Sequence, residues 1–235
     1  MRTEVRHRLK EDPFAKSAQE TLGWAAAHRN TLLGAVVVAA VIALVIFGGW
    51  YYYDQQETKA NLELGAALRT LSAPVTATPE PGETETYPTA QARSQAAEKK
   101  FQAVTDHFRH TKSADMARYM VAVTHMESGD NAEAEKRFKE VAGSSNGDVA
   151  SLANMALASI YAGSGRQAEA INIYKSLIDH PTNAVSKPEA QMQLAGLYAD
   201  SNPAEARKIY LQMETDDPTG PLAQLALSKI AALKK

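Results

Sequence analysis

Residues 157–177 read LASIYAGSGRQAEAINIYKSL, and their spacing decides the fold. Leu157 and Ala158 are followed at helical distance by Tyr161. Gly163, Ser164 and Gly165 then break the pattern, and Ala170, Tyr174 and Leu177 resume it in steps of four and three. Such steps keep side chains on one face of a helix, so the stretch predicts two short helices joined by a tight turn. Alanine lets two helix backbones approach closely, and the aromatic ring one turn later fills the space against the next pair.

The same arrangement recurs in both directions. Ala97, Phe101 and Val104 form one set, Ala134, Phe138 and Val141 another, and Ala206, Tyr210 and Met213 a third; the alanines stand 37, 36 and 36 residues apart. Partner helices carry Val121 and Ala122 with His125, and Leu194 and Ala195 with Tyr198. Short turns join the two helices of a pair at residues 128–130, 163–165 and 200–203, and a weaker extension reaches Leu64 and Gly65 with Leu68. No single pair of this kind can bury its apolar stripe, so neighbours must stack. A heptad coiled coil is excluded, because glycine, proline and asparagine turns interrupt every run of helix.

The expected fold is all-α: an α-solenoid of about four helix pairs closed by a capping helix over residues 221–235. These positions resemble the tetratricopeptide repeat. The chain departs from that family at the early tryptophan position, where Arg118, Asn154 and Gln191 stand.

Ahead of the repeats lies an uncharged run over residues 30–53. Its core, residues 32–49, reads LLGAVVVAAVIALVIFGG and is closed by Trp50, Tyr51, Tyr52 and Tyr53. About 20 apolar helical residues span a bilayer core, and aromatic rings favour the headgroup zone. The run therefore predicts a single transmembrane helix. Arg2, Arg6, Arg8, Lys10, Lys16 and Arg29 precede it, whereas the flank through Asn61 offers Lys59 alone. Positive residues stay in the cytoplasm, which places the N-terminus inside and the repeats outside. A cleavable signal is disfavoured: the leader is long, and bulky rings stand where a peptidase needs small residues. Ala35, Ala39 and Ala43 form a small-residue ridge, the candidate docking face within the membrane.

The remaining boundaries follow from composition. Residues 1–29 read as a cytoplasmic basic amphipathic segment, 54–72 as a first extramembrane helix, 73–90 as a flexible loop rich in Pro, Thr and Glu, and 91–235 as the repeat domain.

No cysteine occurs, which removes disulfides and thiolate chemistry. Beyond residue 30 the chain has 19 cations and 23 anions, so it offers no footprint for nucleic acid. His107 and His110 stand three apart without a third ligand and read as surface histidines. The sequence shows no catalytic constellation, nothing calling for a cofactor, metal or small-molecule substrate, and is read as no enzyme.

Protein binding is the expected function. In the resembled family the first helix of each pair lines the concave face. Carried over by register, that face holds Met116, Tyr119, Val123 and Met126, then Leu152, Met155 and Ser159, then Met192. Flexible, polarizable thioethers suit a groove that accepts varied apolar partners.

A basic leader, one span with the N-terminus inside and a repeat domain outside together resemble the YfgM-like family, ancillary subunits of the SecYEG translocon. That resemblance implies a bacterial inner-membrane protein with its repeats in the periplasm. It also implies service as an accessory or chaperone-adaptor for newly exported chains, with the translocon and a membrane-anchored periplasmic chaperone of the PpiD type as partners. The competing reading is a structural scaffold subunit of an envelope machine for secretion, motility or division.

Overall fold

A computed structural model describes Trp24 and residues 27–76 and 85–233. Most of the basic leader, residues 77–84 of the expected loop and residues 234–235 lie outside the described residues. Among the described residues the chain forms nine helices and no named strand: α1 (Arg29–Leu71), α2 (Ala90–His107), α3 (Lys112–Glu127), α4 (Asn131–Ala142), α5 (Gly147–Gly163), α6 (Gln167–Asp179), α7 (Lys187–Ser201), α8 (Pro203–Asp216) and α9 (Pro221–Ala232).

Two compact units divide the chain, Met1–Gln55 and Gln56–Lys235. In the first, the apolar part of α1 is the one helical stretch among the described residues long and apolar enough to cross a membrane, and none of it is buried within the chain. Val36, Leu44, Phe47 and Trp50 are all exposed. Apolar side chains this exposed need a cover other than water.

The second unit is the stacked array, and side-chain caps mark where α2, α3, α4, α7 and α8 begin. Thr89, Thr111 and Asp130 accept backbone N–H bonds at the starts of α2, α3 and α4. Ser186 and Glu189 form a reciprocal capping box on α7, with Pro188 in its first turn. Asn202 ends α7 and caps α8 at once, a one-residue turn. α3 and α5 instead end with glycine in the left-handed region, Gly129 at φ 82° and Gly165 at φ 81°. In both turns the N–H two residues past the cap returns to the helix: Asp130 donates to His125 and Arg166 to Tyr161, each at 2.9 Å.

Each helix from α2 onward packs on its neighbour in sequence. The pairs are the Gln56–Leu71 part of α1 with α2, then α3 with α4, α5 with α6 and α7 with α8; α9 closes the array. The alanines and aromatics that set the period are buried: Ala97, Ala134, Ala170 and Ala206 are fully so, and Phe101, Phe138, Tyr174 and Tyr210 are within 3% of it, whereas His125 and Tyr198 of the partner helices are half-buried. The first pair differs in detail. Ala60, Leu64 and Ala67 pack against Ala97, Phe101 and Val104, while Leu68 is 39% exposed. The buried stripe there runs in steps of four and three from Ala60, which leaves Leu68 at its edge.

The described ends of the Pro-rich segment are tied together. Thr76 donates to the Tyr87 carbonyl at 2.9 Å, and Tyr87 to that of Pro74 at 3.0 Å. Glu85 accepts from Lys100, Thr70 and the Tyr87 hydroxyl, at 2.8, 2.8 and 2.7 Å. These bonds, that of Lys100 foremost, hold its carboxyl down at about 2. A further carboxylate, Glu57, caps α3 from outside, accepting from the backbone N–H of Lys112 at 2.7 Å and of Ser113 at 3.1 Å and from the Ser113 hydroxyl at 2.6 Å.

Candidate functional site

Beyond the contacts between sequence neighbours, α3 touches α5 across α4, and α7 touches the closing helix α9 across α8. First helices therefore make the inner layer of the array. The side chains picked out by register lie on that layer, from α3 through α5 to α7. Met116, Tyr119, Val123, Met126, Leu152 and Met155 are each half-buried, resting on the main core cluster. Met192 is half-buried beside Tyr198 and Ile209 at the next cluster, and Ser159 is exposed.

Half-burial gives these residues a double character. Each contributes one flank to the core and leaves the other accessible, so the layer offers an apolar floor already held in place. Tyr119 also reaches into the interior. Its ring lies 5.6 Å from that of Phe138, and burial pushes its hydroxyl pKa up. On α7, Gly196 has open space where a side chain would stand.

In the first unit Ala35 and Ala39 are exposed and Ala43 is half-buried. His107 lies 3.8 Å from Glu63 on the surface, and no group of three metal-ligating side chains occurs among the described residues.

The charged features at the pair junctions escaped sequence reasoning. Arg166, in the turn after α5, pairs with Glu135 of α4 while its guanidinium carbon stacks 3.9 Å from the centre of the Tyr161 ring. Lys139 donates to the same carboxylate at 2.6 Å. Arg166 and then Lys139 hold the Glu135 carboxyl down at about 2. Glu135 and Arg166 are 31 residues apart and outside the apolar pattern; only their places in adjacent repeats could have signalled the contact. One repeat earlier, α2 and α3 border an open cleft of about 530 Å³ whose lining includes Glu98, His125 and Ser128.

A family model described as a tetratricopeptide repeat-like domain matches residues 24–234, taking in the apolar stretch as well as the repeats. Among solved structures the chain is similar to a tetratricopeptide repeat protein from Parabacteroides merdae ATCC 43184, at 17% identity and a TM-score of 0.47, over 60% of this chain and 54% of that one. The chain thus spans about half the length of that protein. No curated protein matches it.

Proposed function

We propose that this chain, which belongs to the tetratricopeptide repeat-like domain family, is a membrane-anchored protein–protein interaction module that attends a protein-export site. Arrays of this family bind protein partners. The observation that carries the anchored form is the apolar part of α1: long enough to cross a bilayer, unburied among the described residues, and joined to a packed repeat array.

The span holds the array at the outer face of a bacterial inner membrane, with the basic leader retained in the cytoplasm. The half-buried Met-rich layer of α3, α5 and α7 then receives an apolar segment of a partner or of a newly exported chain. The YfgM-like layout supports a role beside the SecYEG translocon, alongside a periplasmic chaperone. The ridge of Ala35, Ala39 and Ala43 supplies the face on which the span docks.

Affinity purification of the tagged full chain from gently solubilised membranes tests this reading. Translocon subunits and a periplasmic chaperone should co-purify. A single stoichiometric component of a secretion, motility or division assembly, without translocon subunits, would replace it with the scaffold reading.

A further inference from the structure

Two successive junctions of the array build the same turn and furnish it with opposite charge. Because α3 and α5 end in the same glycine turn, residues 130 and 166 are both delivered beside a ring five residues back, His125 and Tyr161. At the later junction the chain fills its own site. The Arg166 guanidinium stacks on Tyr161, its Nη1 donates to Glu135 at 3.1 Å, and its Nε donates to the Ser164 hydroxyl at 3.3 Å.

At the earlier junction each partner of that guanidinium has a counterpart one repeat back: Glu98 for Glu135, His125 for Tyr161 and Ser128 for Ser164. All three line the open cleft. Both cations, however, are gone. Asp130 stands in place of Arg166, and Gln102 in place of Lys139.

Glu98 is left with the Gln102 amide at 2.8 Å and His125 Nε2 at 3.4 Å. That nitrogen is buried and makes no hydrogen bond among the described residues. On its other side the ring faces Asp130, Nδ1 to Oδ2 at 3.5 Å. Glu127 adds another carboxylate to the lining, which contains no Lys or Arg. Nor does the sequence between Arg69 and Arg93 contain a cation, while it carries Glu80, Glu83 and Glu85.

We propose that this cleft is a binding site for an arginine side chain of another polypeptide. The guanidinium stacks on His125, pairs with Glu98 and takes Ser128 as a further acceptor, reproducing in trans what Arg166 does in cis. Arginine is favoured over lysine because its planar fork matches a carboxylate and stacks on a ring, which a point-charge ammonium does not. A volume of about 530 Å³ exceeds what one side chain fills, so flanking residues of the segment lie along Gln91 and Ser94. The cleft lies on a different face of α3 from Met116, Tyr119 and Val123, so it does not depend on the Met-rich layer.

The test uses the full chain in detergent micelles and a fluorescein-labelled heptapeptide, Gly-Ser-Ala-Arg-Ala-Ser-Gly, followed by anisotropy. The arginine peptide should bind, and its citrulline counterpart should bind about tenfold more weakly or worse, because citrulline keeps the shape and loses the charge. Glu98→Gln should cause a similar loss. Asp130→Arg should abolish binding by filling the cleft from within. The turn accommodates this residue type, since Arg166 holds the equivalent position with no side-chain cap bond. Asp130→Asn, which keeps a cap acceptor for α4, should bind within about threefold of the parent.

Four results would overturn the proposal: no binding of the arginine peptide, equal binding of the citrulline peptide, undiminished binding to a helical Asp130→Arg chain, or displacement by free L-arginine as effectively as by unlabelled peptide. The last would make the ligand the amino acid rather than a polypeptide.

Discussion

Phe138 has no exposed surface and lies between the helices of its own pair and those of the next, so its removal opens a cavity that the array cannot close. Phe138→Ala should destabilise the second unit by about 3–5 kcal/mol, read from denaturant unfolding of the full chain in micelles. Gly165 tests the turn rather than the core. At φ 81° an alanine there should cost about 1–2 kcal/mol, although no neighbour lies within 4 Å of the added carbon. A loss below a few tenths would mean the turn relaxes without strain. Glu135 sets a pH dependence. Its folded-state carboxyl is held near 2 against an ordinary value of 4.5, so its contribution is complete above about pH 4.5 and fades as the pH falls toward 2. Glu135→Gln should flatten the acid side of a melting-temperature profile across that window; an unchanged profile would show that the Arg166 contact contributes nothing to stability.

At the scale of elements, the array is held by packing and by charges that bind a helix start to a distant one. Glu57 of α1 supplies three acceptor contacts at the start of α3, more than fifty residues along the chain. Glu57→Ala leaves the N–H of buried Ser113 without that acceptor and should cost about 1–3 kcal/mol, with earlier amide exchange at the start of α3 than elsewhere in that helix. This contact was not legible in the sequence, whereas the helix pairs were. Alanine and aromatic positions recur because every junction poses the same steric problem, and Ala97, Ala134, Ala170 and Ala206 with Phe101, Phe138, Tyr174 and Tyr210 are all buried in the fold. Polar contacts between repeats use residues that vary from junction to junction, as Asp130 and Arg166 do, so no period announces them. The first helix of the first pair was faint for a related reason: its stripe is built on Ala60, Leu64 and Ala67, with no aromatic of its own to mark the register. The Met-rich layer was legible only through family register, because half-buried methionine serves core and surface alike.

Over the whole molecule, two properties meet in one chain: an apolar helix that none of the described residues buries, and a repeat array whose inner layer is apolar and half-open. The proposed function joins them, the membrane fixing where the array works and the inner layer fixing what it holds. The most direct measurement is partner retention by the full chain carrying Met155→Glu together with Met192→Glu, purified from gently solubilised membranes and compared with the parent at equal helicity. Two carboxylates on the apolar floor should abolish co-purification of the partner while the protein stays in the membrane. Undiminished retention by a folded, membrane-bound double variant would contradict the account.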